Sequence, residues 1–348
     1  MKIQKAFTMR SSAIGDCLMG KYLLEQIHTQ YPNAGCSIIV ASRVEMIRDL
    51  LAAYPWLVVR EASRRNLFGL FEALRAVWNS DATVTQYSGR GQFSTLSKLF
   101  ARLVTRRGRL VGFSDPWRWN VHLYDHLVPL DLKKSFLAHE QAALEALNIP
   151  ISSSKLTLQY VPDPAVHERF NLPRGSYIFL HLFAGTGGRG FTREKRAAYV
   201  REMVAAFGDS YTIVLTGSAT DRPLAEEAVR GTTARVLAGE TRVQELANLI
   251  VGSAGVVSID TGVAHMAAQL GVPLVVVRTC LAYNWWSKEQ YDGLPTIISR
   301  DELCPNGHVS EKAKNCLNNI PVEEVIQAAR TLIGSDLPST RRSSTPHS

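Results

Sequence analysis

SIDTGVAHMAAQLGVP, residues 258–273, decides the fold. A buried-strand pattern ends in a carboxylate at Asp260, Thr261 and Gly262 open a helix, and Met266, Ala267, Leu270 and Val272 pack that helix onto a sheet. Strand, tight turn and helix in that order make half of a βαβ unit, which implies a parallel sheet. A helix that starts at the carboxyl end of a parallel strand is a prepared anion site. Its free N–H groups and the positive end of its dipole face the ligand. Gly262 has no Cβ to hold a diphosphate away from the backbone amides beside Thr261. His265, in the first helical turn, adds a donor, whereas Asp260 suits a hydroxyl, threonine or histidine donor better than phosphate. A plain structural role suits the same residues: Asp260 as an N-cap and His265 as a satisfied core residue.

The rhythm continues on both sides. Upstream, SYIFLHLF (176–183) reads as a buried strand, a helix covers 193–207, and YTIVLTG (211–217) is another strand. Helices follow at 223–230 and 243–250, and PLVVVRT (273–279) closes the run as a strand. The first half has the same alternation: a strand in KIQKAFTM, a helix over 17–30, a strand in CSIIVAS and a helix over 44–53 that stops before Pro55. Short strands at 82–86 and 110–112 and helices at 93–102 and 135–146 complete it. Two such halves meet near YVPDPAV (160–166). They predict an α/β protein of two Rossmann-like domains with parallel sheets facing a central cleft, over residues 1–160 and 167–333. The Pro/Ser/Thr-rich end, 335–348, reads as a disordered tail.

Composition narrows the class. The chain has 348 residues, 46% of them hydrophobic and 20% charged, enough for two buried cores. No apolar run approaches the roughly 18–20 residues of a membrane-spanning helix. The N-terminus lacks the apolar core of a signal peptide, which predicts a cytoplasmic protein. Five scattered cysteines suit reduced thiols. Cys304, His308 and Cys316 lack the paired spacing of a zinc site, and no metal is expected.

The net charge of +8 is one-sided: residues 1–150 carry 19 Lys and Arg against 12 Asp and Glu. Arg60, Arg64 and Arg65 cluster, as do Arg102, Arg106, Arg107 and Arg109. Such a field favours an anionic partner: a phosphorylated acceptor, an anionic membrane surface or nucleic acid. An ordinary solvated basic face is the alternative. Nucleic acid is disfavoured, because no recognition motif is present and the charge sits on one domain.

Two further segments carry chemistry. SSAIGDCL (11–18) is a polar turn after the first strand that leads into a helix, with Asp16 in the first turn. That carboxylate is a structural cap or a general base. HLFAGTGGRGFTREKR (181–196) holds Gly185, Gly187, Gly188 and Gly190 in a loop able to wrap a phosphate, with Thr186 among them and Arg189 projecting.

In this order and spacing, the three segments resemble glycosyltransferase family 9, the ADP-heptose:lipopolysaccharide heptosyltransferases. SSAIGD is similar to that family's S-x-x-G-D element, and SIDTGVAHMAAQLGVP to its D-[ST]-G-x-x-H-x-A-A-x-x-G-x-P element. The resemblance implies a GT-B fold and an inverting, metal-independent enzyme that needs no cofactor, since the nucleotide sugar is a substrate. It implies Asp16 as catalytic base, and Asp260, Thr261, Gly262 and His265 as nucleotide-sugar contacts with Thr186, Gly187 and Gly188. Arg189 falls where the family has a lysine, and Asp221 near its usual glutamate. Arg60, Arg64, Arg102, Arg106 and Arg107 become candidates for an anionic lipid-linked saccharide acceptor, with peripheral contact at the inner membrane surface. Arg for Lys changes geometry, and Asp for Glu shortens the reach. The family's Trp-Pro is absent, as is a proline at the position of Tyr22. Donor sugar and base therefore stay open. Rival readings are a nucleotide-dependent oxidoreductase, disfavoured because no G-x-G-x-x-G follows the first strand, and a degenerate nucleotide-sugar-binding protein.

Overall fold

The structure, a computed structural model, describes residues 2–86, 94–115, 117–131, 133–184, 190–280, 285–291, 295–303 and 316–334. The glycine loop at 185–189, with Thr186, Gly187, Gly188 and Arg189, lies outside them, as do Cys304, His308 and the 335–348 tail.

By internal contacts the chain divides into two compact units. The first comprises Met1–Pro164, Arg242–Asn248 and Ala282–Gly293; the second holds the rest. Two short segments of the second half thus return to the first unit, where side chains tie them down. Gln244 Nε2 donates to the carbonyls of Asp49 (2.8 Å) and Leu50 (3.1 Å). Gln290 Oε1 accepts from the Leu137 N–H at 3.1 Å, and Phe136 stacks on Trp285 at 4.2 Å.

Unit 1 opens with β1 (Lys5–Met9), α1 (Ile14–Gln30), β2 (Gly35–Val40) and α2 (Val44–Leu50). Then follow β3 (Leu57–Glu61), α3 (Leu67–Val77), β4 (Ala82–Val84) and α4 (Thr95–Val104). It ends with β5 (Leu110–Phe113), α5 (Asn120–Leu123), β6 (His126–Val128) and α6 (Phe136–Ala146). Its sheet is parallel, in the order β3-β2-β1-β4-β5-β6. Unit 2 begins with α7 (Val166–Arg169), β7 (Tyr177–His181), α8 (Arg193–Phe207), β8 (Thr212–Leu215), α9 (Arg222–Ala228) and β9 (Arg235–Val236). α10 (Val243–Gly252), whose residues 243–248 belong to unit 1, leads back into unit 2, which continues with β10 (Gly255–Ile259), α11 (Gly262–Gln269), β11 (Leu274–Val277), β12 (Pro295–Ile298) and α12 (Val322–Gly334). The second sheet is also parallel, in the order β12-β11-β10-β7-β8-β9.

Parallel strands covered on both faces need apolar residues throughout, and β7, β10 and β11 are buried at every position. The core of unit 2 closes over them with Tyr199 and Met203 of α8 and Val325 and Ala329 of α12.

Two differences from the expected elements matter. α1 starts at Ile14 rather than Cys17, because the Cys17 N–H already bonds the Ala13 carbonyl at 3.1 Å. Gly15 and Asp16 are therefore helical. β3 and α3 fill a stretch where no elements were expected. α3 conceals its periodicity by exposing Leu67, Phe68 and Phe71 rather than burying them. At Tyr22, where the resemblance leads one to expect proline, the phenol donates to the Ser153 carbonyl at 2.7 Å, fastening the start of the chain to residues 150–153.

Candidate active-site residues

In an open parallel sheet, ligands bind at the carboxyl ends of the strands where the strand order reverses. In unit 1 that point lies between β1 and β4. The chain leaves β1 through Arg10, Ser11 and Ser12 and enters α1, whose N-cap residue, Ala13, offers no side-chain cap. Ser11 joins the two strand ends: its N–H donates to Gln86 Oε1, beyond β4, and its hydroxyl donates to Asp16 Oδ2. Asp16 is half-buried. Its carboxylate is therefore held by the loop instead of closing the helix end.

The floor beneath is charged and fully paired. Arg10 donates to Glu140 through both terminal nitrogens (2.6 and 2.8 Å) and to Thr8 Oγ1 through Nε (2.8 Å), with both charged side chains wholly buried. Gly20 makes room for it: a Cβ there would sit 2.8 Å from Arg10 Nε. Beside Asp16, the Cys17 thiol is pushed up to about 12 by burial and, secondarily, by the Asp16 charge, so it is inert as a nucleophile. Gln86 escaped the sequence analysis. Its signal was its place at the end of a predicted strand.

In unit 2 the order reverses between β7 and β10. β10 delivers Asp260, Thr261 and Gly262 to this edge. Thr261 is the N-cap of α11 and makes no side-chain cap bond, so the first amides of the helix are left for a ligand. His265 is buried, with Nε2 3.6 Å from Asp260 Oδ1. Ser258 Oγ lies 3.4 Å from Thr261 Oγ1. At the end of β7, His181 is buried and its Nδ1 meets Thr216 Oγ1 at 3.0 Å. Burial lowers the His181 pKa to about 4, against the partial support of the Asp221 charge, so the ring is neutral at pH 7.

Asp221 closes a capping box: its Oδ2 accepts from the N–H (2.8 Å) and hydroxyl of Ser218. The acidic side chain at the end of β8 is thus engaged with its own turn. The structure brings Asp260, Thr261, Gly262 and His265 together, and Asp221 shares their strand-end edge of the same unit.

The arginines of unit 1 divide. Arg102 pairs with Asp125 at 2.9 Å and donates to the Thr105 carbonyl at 2.8 Å. Arg106 pairs with Asp81 at 2.5 Å, and Arg60 Nε donates to Ser37 Oγ at 3.2 Å. These three are engaged within unit 1. Arg64 and Arg107 have no ion-pair partner among the described residues. Among the described residues, no group of three or more His, Cys, Asp or Glu is placed to hold a metal ion, and no helix is long and apolar enough to cross a membrane.

With this geometry in place, comparisons with known proteins point one way. A model of "Glycosyltransferase family 9 (heptosyltransferase)" matches residues 194–278, the stretch from α8 through β11. Lipooligosaccharide heptosyltransferase 2 of Haemophilus influenzae is 26% identical over 288 residues, covering 76% of this chain and 80% of that protein. Lipopolysaccharide heptosyltransferase 3 of Escherichia coli is 29% identical over 288 residues, covering 80% of this chain and 81% of that one. The crystal structure of a glycosyltransferase of family 9 from Veillonella parvula shares the fold with a TM-score of 0.72 at 16% identity, over 97% of this chain and 99% of that one.

Proposed function

We propose, for a chain that belongs to glycosyltransferase family 9 and is a glycosyltransferase, transfer of a sugar from a nucleotide-sugar donor to a lipid-linked saccharide acceptor of lipopolysaccharide-core type. Heptose from ADP-heptose is the default donor. The observation that supports the reading is the open start of α11. Free amides at Thr261 and Gly262, with His265 in the same turn, stand at the strand-order reversal of unit 2. That is a seat for a diphosphate.

The proposed chemistry is a single displacement. The acceptor hydroxyl oxygen attacks the anomeric carbon, the bond from that carbon to the diphosphate oxygen breaks, and configuration inverts. Asp16 takes the hydroxyl proton, a form of help worth roughly 10²–10⁴ in rate. Negative charge grows on the leaving diphosphate, where the α11 amides and His265 stabilise it, with Arg189 added by the family resemblance. The reaction is proposed to run without a metal or cofactor. A cytoplasmic setting and an anionic acceptor complete the reading, the acceptor's charge met by Arg64 and Arg107, which have no ion-pair partner among the described residues.

One observation favours a second reading. Asp221 spends its carboxylate oxygen on Ser218, and Asp is shorter than the glutamate expected there. Contacts to the nucleoside half would then differ, which suits a donor with another base or sugar.

Calorimetric titration with ADP, UDP, GDP and NAD, with EDTA present, tests both. Preferential binding of ADP supports the ADP-heptose reading, and preference for UDP or GDP supports the second. Preference for NAD, or no binding by a folded protein, overturns the donor assignment.

A further inference from the structure

Unit 1 carries a polar cavity that none of the chemistry above uses. It has a volume of about 270 Å³ and opens where the last turns of α1, the residues just before β3 and the stretch 152–159 come together. Glu25, Gln26 and His28 of α1 line it, with Tyr54 and Trp56 beside them. Asp16 and His28 are twelve residues apart on one helix, about 18 Å at a rise of about 1.5 Å per residue. The cavity thus lies at the amino ends of the strands, the opposite edge of the sheet from the proposed base.

Buried side chains fix its walls. Gln26 Oε1 accepts from the N–H and the hydroxyl of Ser152 (both 2.8 Å) and from the Ser153 N–H (3.1 Å). Lys21, fully buried, donates to the Thr157 carbonyl and to Glu25 (2.8 Å). Tyr54 Oη accepts from the Gln159 N–H at 2.6 Å. Ser152, Ser153, Thr157 and Gln159 all line the cavity, so its shape is set before a ligand arrives, which lowers the cost of binding.

The chemistry of those walls selects a ligand. The rings of His28 and Trp56 stack in parallel with centroids 4.3 Å apart, and Tyr54 meets Trp56 edge-on at 5.9 Å, which makes one wall aromatic. Hydrogen-bonding capacity is left over. Gln26 is 3% exposed, and its Nε2 has no hydrogen-bond partner among the described residues. Nδ1 of His28 is buried and likewise has none. Such groups are rare in folded proteins and call for an explanation. Charge is nearly absent: Glu25 is balanced by Lys21, and Lys155 is the one lysine or arginine among the described residues lining the cavity, too little to select a phosphate.

We propose that this cavity binds a neutral sugar ring of a saccharide, at a second site apart from the reacting centre. A sugar ring has a C–H face that packs on an aromatic wall and hydroxyls that both donate and accept. The Gln26 amide and the Ser152 and Thr157 rim meet those hydroxyls, and a turn of the His28 ring brings its unused nitrogen onto one of them. The volume lies at the small end of the roughly 300–1,000 Å³ of ligand sites, which suits a single ring. The site goes beyond the donor and acceptor reading and stands whichever nucleotide sugar is used.

Saturation-transfer NMR on the full-length protein tests it, with glucose, galactose, a free heptose and a dephosphorylated core oligosaccharide as probes. Saturation is expected to reach the protons of at least one of these sugars and to survive excess ADP. Trp56→Ala is expected to weaken that sugar roughly two- to tenfold, with the thermal melt and nucleotide binding kept. Thr157→Trp plugs the cavity from an exposed position and is expected to abolish binding. It serves as the independent variant should Trp56→Ala disturb folding. If the bound ring belongs to the acceptor, both variants raise the acceptor KM at unchanged kcat; if it belongs to another saccharide, binding is lost while KM holds. No transfer from a folded parent protein overturns the proposal. So does transfer that both variants leave unchanged, or displacement of the sugar by inorganic phosphate or adenosine. Nucleotide titration reads the proposed donor site separately, because none of the residues assigned to it lines this cavity.

Discussion

The main-chain N–H of Ser11 donates to Oε1 of Gln86, across the gap between β1 and β4 where the strand order of unit 1 reverses. The same residue's hydroxyl donates to Asp16. A loop residue pinned to the neighbouring strand end therefore sets where the proposed base sits. Hydrogen bonds to a charged group are worth about 1.5–3 kcal/mol. Ser11→Ala is expected to lower kcat by roughly tenfold through misplacement of Asp16, and Asp16→Asn by about 10²–10⁴. Neither should change nucleotide affinity. Because Ser11 acts through Asp16, adding Ser11→Ala to Asp16→Asn should cost nothing further. An additive double variant, measured in single-turnover assays, would separate the two residues and remove Ser11 from the mechanism.

Beneath that loop, Arg10 and Glu140 are fully buried and joined through two hydrogen bonds. Removing one member leaves an uncompensated charge in the interior, which costs about 3–5 kcal/mol, whereas replacing both with apolar residues is often neutral. Glu140→Leu is expected to lower stability by that amount in urea unfolding. Arg10→Met with Glu140→Leu is expected to recover most of it. Equal loss in the single and double variants would mean that the pair is needed for its geometry rather than its charge balance.

The sequence made the parallel architecture legible because its evidence is local. The β-branched runs in β2, β10 and β11 and the punctual helix α8 (Arg193–Phe207) are written in consecutive residues. Site residues on the α11 turn were legible for the same reason: a strand end, Thr261, Gly262 and His265 are contiguous. What stayed hidden depends on partners far away in the chain. Gln86 becomes significant only through Ser11, 75 positions earlier, and Glu140 only through Arg10, 130 positions away. α3 was missed for another reason: its Leu67, Phe68 and Phe71 point outward, so its apolar residues mark no core stripe. The return of residues 242–248 and 282–293 to unit 1 depends on side chains such as Gln244 and Gln290, whose types carry no fold signal.

His181 gives a pH test. Its folded pKa, lowered by burial to about 4, lies below the ordinary value of 6.5. The unfolded chain therefore takes up a proton on this ring at a pH where the folded protein does not. Stability from His181 is intact above pH 6.5 and is lost as pH falls from 6.5 towards 4, reaching about 3 kcal/mol at one pKa unit per 1.36 kcal/mol. Asp221, whose charge favours the protonated ring, limits the loss. His181→Asn is expected to flatten the stability profile in that window and leave it unchanged above pH 7. A parent profile with no slope between pH 6.5 and 4 beyond that of the variant would show that His181 is protonated freely.

The proposed diphosphate seat makes the most selective prediction. His265 is buried in the first turn of α11, 3.6 Å from Asp260, and the helix amides beside it have no side-chain cap. If these groups bind the diphosphate, their contribution must vanish with the second phosphate. His265→Ala is then expected to weaken ADP roughly 10–100-fold, the worth of one hydrogen bond to a charged group, and to leave adenosine affinity nearly unchanged. Asp260→Asn should produce a smaller change with the same selectivity, because it acts on His265 and not on the phosphate. Calorimetric titration of both ligands into the parent and the two variants reads this directly. An equal loss of ADP and adenosine would mean that His265 supports the packing of α11 against β10, and the diphosphate would then rest on the helix amides alone.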